Sequence, residues 1–168
     1  WVNPEGEVSR GYREDGYYPE AFVNMLALLG WNPGTEQELF SLEELVESFS
    51  LDRIVKSGAK FNPDKAKWFN QEYLRKQSLE SLTEQFRALE GNRIEGFSDE
   101  YVSKVIGLMR ERVHFMNEMW DQTSYFFEAP EKYDEASVNK FWKDETKAIL
   151  PKVCQFIEGI EPFTKEHI

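Results

Sequence analysis

Residues 11–34 read GYREDGYYPEAFVNMLALLGWNPG, and their punctuation decides the fold class. Pro19 sits where a first-turn proline belongs: its fixed φ suits a helix, and its missing amide would have had no partner there. Glu20 follows in the first turn, where the helix dipole favours an anion. Phe22, Met25, Leu26 and Leu29 recur at i, i+3, i+4 and i+7, which predicts one apolar helical face. Gly30 falls where a left-handed residue ends a helix, and WNPG over residues 31–34 reads as a turn.

The same punctuation repeats along the chain. Ser41-Leu42-Glu43-Glu44 is a capping box with Phe40 and Leu45 placed as its hydrophobic staple, and the helix behind it is expected to bury Leu42, Leu45, Val46 and Phe49. Ser50 and Asp52 start a short turn over residues 51–55. Residues 56–61, KSGAKF, form a polar loop with a lysine near each end. Asn62 and Pro63 then cap and open a further helix with Ala66, Phe69 and Tyr73 on one face. The next helix has two candidate starts, Ser78 alone or the complete box Ser81-Leu82-Thr83-Glu84, with Leu82, Phe86 and Leu89 inward in either case.

Gly91 and Gly96 suggest a linker, which puts a subdomain boundary between residues 75 and 98. Ser98 with Asp99 and Glu100 starts a helix whose stripe, Val102, Ile106, Met109, Val113, Met116 and Trp120, stays within roughly 40° of one line. Arg110 and Arg112 flank that stripe at about 80° on either side, so both are expected at the margins of the packed face. Asp134 caps a helix through Val138, Phe141 and Trp142, and Pro151 predicts a kink or a break between residues 144 and 158 before Gly159 ends the element. Thr164 reads as one more N-cap. With no alternation of period two and no internal repeat, the chain reads as all-α and multihelical: a domain over residues 1–77, with an irregular lead-in over 1–16 and a turn near Tyr12–Asp15, and a second over 78–168.

The 168 residues, 40% hydrophobic and 15% aromatic, suffice for a core without staples. No apolar run is long enough to span a membrane and no signal peptide is evident, so a cytoplasmic protein without membrane attachment is expected. Cys154, the single cysteine, excludes an internal disulfide, and its apolar neighbours predict burial. The chain starts at Trp1 and ends one turn into an apparent helix, which reads as a piece of something longer.

Catalytic chemistry is not visible in the residues. His114 lies among apolar neighbours and His167 near the end, with no nucleophile–base pairing around either. Neither metal-ligand spacing nor a GxGxxG or GxxxxGK[ST] phosphate loop occurs. The net charge of −11 argues against nucleic acid, but it is unevenly spread: residues 1–50 carry a net −8, residues 51–77 a net +4, and residues 78–168 a net −7. The basic middle, interleaved with Phe61, Trp68, Phe69 and Tyr73, fits either a solvated helix face whose aromatics belong to the core or an RNA-backbone footprint, because phosphate contacts carry affinity without reading sequence.

Residues 12–34, YREDGYYPEAFVNMLALLGWNPG, resemble the segment after the KMSKS-type loop of bacterial-type class I glutamyl-tRNA synthetases. Residues 40–76 are similar to the rest of that family's stem-contact region, through SLEEL, a KSxAxF loop and a WxNxxYLR helix. LMRERV at 108–113 and SYFF at 124–127 resemble, more weakly, the start of its anticodon-binding region. The resemblance implies a parent enzyme that joins glutamate to tRNA(Glu) with ATP and Mg²⁺, acting as a monomer, with glutamate and ATP bound in a catalytic domain lying before Trp1. This chain, with neither a HIGH-type nor a KMSKS-type motif, is then expected to be inactive alone and to need no cofactor. Arg112 stands at the family's anticodon-reading position with Arg110 beside it, and Lys56, Ser57, Lys60 and Arg75 are expected to meet the tRNA backbone. A glutaminyl-specific relative would carry β-barrel anticodon domains, against the helical pattern. The rival reading is a non-catalytic helical module that binds a partner protein through its acidic surface.

Overall fold

The first helix, α1 (Pro19–Gly30), opens at the proline that marks it in the sequence. The computed structural model describes residues 10–56 and 58–161, so the expectations for Ser57, Thr164 and His167 and for most of the lead-in lie outside the described residues. Ahead of α1, residues 12–16 form a turn closed by Asp15 N–H to Gly11 O at 3.0 Å and Tyr17 N–H to Tyr12 O at 2.9 Å. α2 (Leu42–Ser48), α3 (Pro63–Lys76), α4 (Leu79–Ile94), α5 (Asp99–Met109) and α6 (Met119–Thr123) follow. 3-10 turns occur at Leu51–Arg53, Arg110–Arg112, Met116–Glu118 and Ser124–Phe126. Among the described residues there is no strand, only an isolated antiparallel bridge between Trp31 and Ile54. The all-α reading stands.

Most helix starts are capped by the short polar side chains that predict them. Ser41 and Glu44 form the reciprocal box at α2, Glu44 N–H to Ser41 Oγ at 3.2 Å and Ser41 N–H to Glu44 Oε2 at 2.7 Å. Asn62 Oδ1 accepts from Asp64 N–H at 3.0 Å to start α3, and Ser98 Oγ accepts from Tyr101 N–H to start α5. At α4 the lone Ser78 wins over the complete box three residues later. Starting there lets Leu79 join the core cluster, whereas Ser81 as N-cap would leave Leu79 outside the helix.

Chain Trp1–Glu128 forms one compact unit. Within it α1 lies chiefly on α3 and α4 on α5. Ala21, Met25, Ala66 and Phe69 make the first core cluster; Leu74, Leu82, Phe86, Ile94, Val102, Ile106, Met109, Val113, Met116 and Met119 make the second. α3 serves both, Ala66 and Phe69 in one and Leu74 in the other. A small third cluster joins the staple pair Phe40 and Leu45 to Trp31.

Several faces differ from the periodicity. α1 buries Ala21, Asn24 and Met25, while Leu26 stays 47% exposed. The rotation follows from Asn24, whose Oδ1 accepts from Phe40 N–H at 2.9 Å and lies 2.9 Å from the Tyr73 hydroxyl, turning that side of the helix inward. Gly30 is helical rather than left-handed: its carbonyl accepts from Val55 N–H at 2.9 Å, so pairing with the 53–55 segment ends the helix instead of a glycine cap. In α2 only Leu45 is buried; Leu42, Val46 and Phe49 are exposed. α4 runs through Gly91 to Ile94, bending at Glu90 (φ −120°, ψ 17°), and leaves Leu89 exposed.

The stripe from Val102 to Trp120 is buried up to Met116 and half-buried at Trp120, but it is not one helix. α5 stops at Met109 and the chain passes through an extended Val113 (φ −114°, ψ 149°) before the next turn.

Chain Ala129–Ile168 forms a second unit. It holds α7 (Glu135–Phe141), capped by Asp134 as expected, and α8 (Asp144–Glu158), which runs through Pro151 as a single helix and ends at Gly159. The apolar side chains of α7 and α8, with Trp142 between them, are exposed, including Phe141, Leu150 and Phe156, and Cys154 with them, against the burial expected for that cysteine. Among the described residues of this unit none is buried, so no apolar core closes around the cysteine.

Two fully buried amides tie unit one together. Besides Asn24, Asn70 accepts Tyr18 N–H on Oδ1 at 2.8 Å and donates from Nδ2 to the His114 carbonyl at 2.6 Å. Tyr18 in turn donates its hydroxyl to Gln85 Oε1 at 2.8 Å, linking the start of α1 to α4. Asn70→Ala strands both partners of that amide, and urea denaturation should show a loss of about 1–3 kcal/mol. Burial pushes the Tyr18 phenol up to about 12. A phenol raised in the folded state stabilises fully below its unfolded pKa of about 10, and that contribution disappears as pH rises towards 12. Thermal melts from pH 9 to 11.5 should therefore fall less steeply for Tyr18→Phe than for the parent chain.

Candidate nucleic-acid interface

Arg110–Arg112 is a polar 3-10 turn held between two apolar anchors, Met109 at 5% exposure and Val113 at 0%. The backbone is thus fixed on both sides of a three-residue excursion to the surface. Arg110 is half-buried, its Nε 3.8 Å from Glu111 Oε1. Arg112 is exposed and makes no ion pair with any described residue. A guanidinium so placed presents its planar fork to solvent, the geometry that suits a base edge or a phosphate.

α3 grips this turn from the side. Gln71 Nε2 donates to the Glu111 carbonyl at 3.2 Å and Arg75 Nη2 to the same oxygen at 3.1 Å. Arg75 Nε lies 2.7 Å from Glu111 Oε2 as an ion-pair contact rather than an aligned N–H bond, and Nη1 donates to Glu72 Oε1 at 2.7 Å. One turn earlier on α3, Asn70 holds the His114 carbonyl. Glu118 Oε2 accepts from the His114 and Phe115 amides at 2.8 and 3.3 Å, closing the segment from the other side. The His114 side chain is half-exposed, 3.9 Å from that same carboxylate, and takes no part in the core.

The basic segment divides into engaged and open cations. Arg53 donates to the Pro33 carbonyl, and Lys65 pairs with Glu38 and lies 4.8 Å from the Trp68 ring centre. Lys76 lies 5.6 Å from the Tyr73 ring. Lys56, Lys60 and Lys67 are exposed and make no ion pair among the described residues. Lys56 and Lys60 belong to the loop that enters α3, whereas Arg75 is at its far end, roughly 20 Å away along a helix rising 1.5 Å per residue. The structure therefore brings Arg110, Arg112 and Arg75 together and sets Lys56 and Lys60 apart. The part that Glu111, Gln71 and Asn70 play in shaping the turn carried no signal in the sequence, because each acts across 36 to 44 residues.

Among the described residues no group of three or more His, Cys, Asp or Glu is placed to hold a metal ion. No described helix is long and apolar enough to cross a membrane.

The chain matches two family descriptions in succession: tRNA synthetases class I (E and Q), catalytic domain, over residues 6–68, and anticodon binding domain over residues 74–168. It is 51% identical to a glutamate–tRNA ligase of Flavobacterium johnsoniae and 42% identical to one of Porphyromonas gingivalis, over 100% and 99% of its length. The chain spans about a third of those relatives, 33% of each. A crystal structure of a glutamate tRNA ligase from Elizabethkingia meningosepticum, in complex with its amino acid, superposes with a TM-score of 0.87 at 39% identity over 96% of this chain and 32% of that one. That of the glutamate–tRNA synthetase from Elizabethkingia anophelis gives 0.80 at 38% identity, with the same coverage. Motifs, helical architecture and these likenesses agree over nearly all of its length: the chain belongs to the glutamate–tRNA ligase family of class I tRNA synthetases, with its residues from 74 onwards in the anticodon binding domain.

Proposed function

We propose that this chain is the tRNA-holding part of a cytoplasmic, monomeric ligase that joins glutamate to tRNA(Glu). Residues 1–77 form its stem-contact domain and residues 78–168 the first part of its anticodon-binding domain. The observation that carries the reading is the exposed Arg112, set between a pinned Glu111 and a fully buried Val113. An RNA reader needs a donor fork at a fixed position with open access, and Arg112 supplies it, with Arg110 half-buried beside it as a second donor. Lys56 and Lys60 would meet the stem backbone as point charges, and Ser57, between them in sequence, is a further candidate for that contact.

ATP and Mg²⁺, which the ligase reaction uses, do not fit the described residues, which offer neither a carboxylate cluster nor a phosphate-cradling loop. The share of the work left to this chain is affinity and register on the tRNA.

In the whole ligase, Arg112→Ala should raise KM for tRNA(Glu) roughly 5- to 150-fold, the 1–3 kcal/mol of a bidentate contact, while KM for glutamate and ATP stays unchanged. Arg112→Lys should recover only a small part, because an ammonium lacks the fork. Unaltered tRNA kinetics in Arg112→Ala would remove this residue from the interface. Lys60→Ala should instead weaken tRNA binding and flatten the slope of log affinity against log salt by about 0.9, one phosphate's worth of counterion release.

A further inference from the structure

Arg75 stands in the basic segment as a candidate phosphate contact, yet its guanidinium is already spent on the protein. Nη2 holds the Glu111 carbonyl, Nε faces the Glu111 carboxylate and Nη1 holds Glu72. Gln71, one turn before it on α3, holds the same carbonyl. The Arg75 side chain is 31% exposed, so most of its surface is covered. We propose that Arg75 and Gln71 are positioning residues: they clamp the Glu111 peptide and thereby set where the Arg112 fork stands relative to the stem-contact helix. This rests on the reading of Arg112 as a tRNA contact.

The choice of target distinguishes this clamp from simple packing. Both donors reach the carbonyl of Glu111, in the one exposed turn between Met109 and Val113, and not a carbonyl of the core. A 3-10 turn of three residues has little internal bonding of its own, so its orientation depends on what grips it from outside. Here the grip comes from α3, whose N-terminal end carries the Lys60 loop. Stem contact and anticodon contact are in this way mounted on one rigid rod of 14 residues.

A double-mutant cycle in the whole ligase tests this, with Arg75→Met, Arg112→Ala and the pair. Arg75→Met should raise KM for tRNA(Glu) roughly 5- to 20-fold, the size of a contact-range coupling, with KM for glutamate and the thermal midpoint nearly unchanged. In the Arg112→Ala background the same substitution should add less than about twofold, and the salt slope of tRNA binding should not move in either background. Arg75→Lys, which keeps one charged donor, should rescue part of the loss. Full additivity with a salt slope reduced by about 0.9 would make Arg75 a phosphate contact and overturn the proposal. So would an Arg75→Met ligase that keeps its tRNA kinetics while Arg112→Ala loses them. If Arg112→Ala itself changes nothing, the reading of the interface fails first, and the clamp with it.

Discussion

Asn70 sits fully buried in the middle of α3, where an amide must have both its donor and its acceptor met. It accepts the Tyr18 N–H on one side and donates a hydrogen bond to the His114 carbonyl on the other. Those two bonds fix the residue that precedes α1 and the segment that follows the arginine turn to the same helix. Because the alternatives leave polar groups dry, the arrangement has little freedom to slide. The core is laid down on this frame, with Ala66 and Phe69 of α3 on one side and Leu74 on the other.

The surface turn inherits its rigidity from that frame. Individually the ion pairs around Arg75 are half-exposed, and such pairs contribute little to stability. Their weight is geometric. Three donors from α3 meet two backbone carbonyls within four residues, Glu111 and His114, and Val113 is sealed in the core between them. Arg112, exposed and without an ion pair to any described residue, is left free of that grip, which is the division of labour expected of a recognition side chain on a stiff support.

Local signals in the sequence were legible and non-local ones were not. Ser41, Asn62, Ser98 and Asp134 cap their helices because a cap bonds two or three residues away, and Pro19 and Pro63 act through their own φ. Helix faces were read less well wherever a buried polar group outranked an apolar one. Asn24 and Asn70 point inward while Leu26 and Val46 remain in solvent, and hydrophobic periodicity has no means of anticipating that. The stripe through Val113 was correct as a list of core residues and wrong as a helix, since extended backbone also returns an apolar side chain to the core. For the interface, charge located the basic segment, but only long-range geometry separates Lys56 and Lys60, which are open, from Arg53, Lys65 and Arg75, which are engaged.

The isolation of Arg112 has an evolutionary side. Its side chain contributes nothing to the core, and a substitution at such a surface position typically shifts stability by no more than about 0.5 kcal/mol. Replacement there is thus nearly invisible to folding, and under the reading of Arg112 proposed above, selection at this position sees recognition alone. Under that same reading, a lineage could exchange the residue at 112 without first repairing its scaffold. Asn70 and Val113, by contrast, are held by the frame and would resist such exchange.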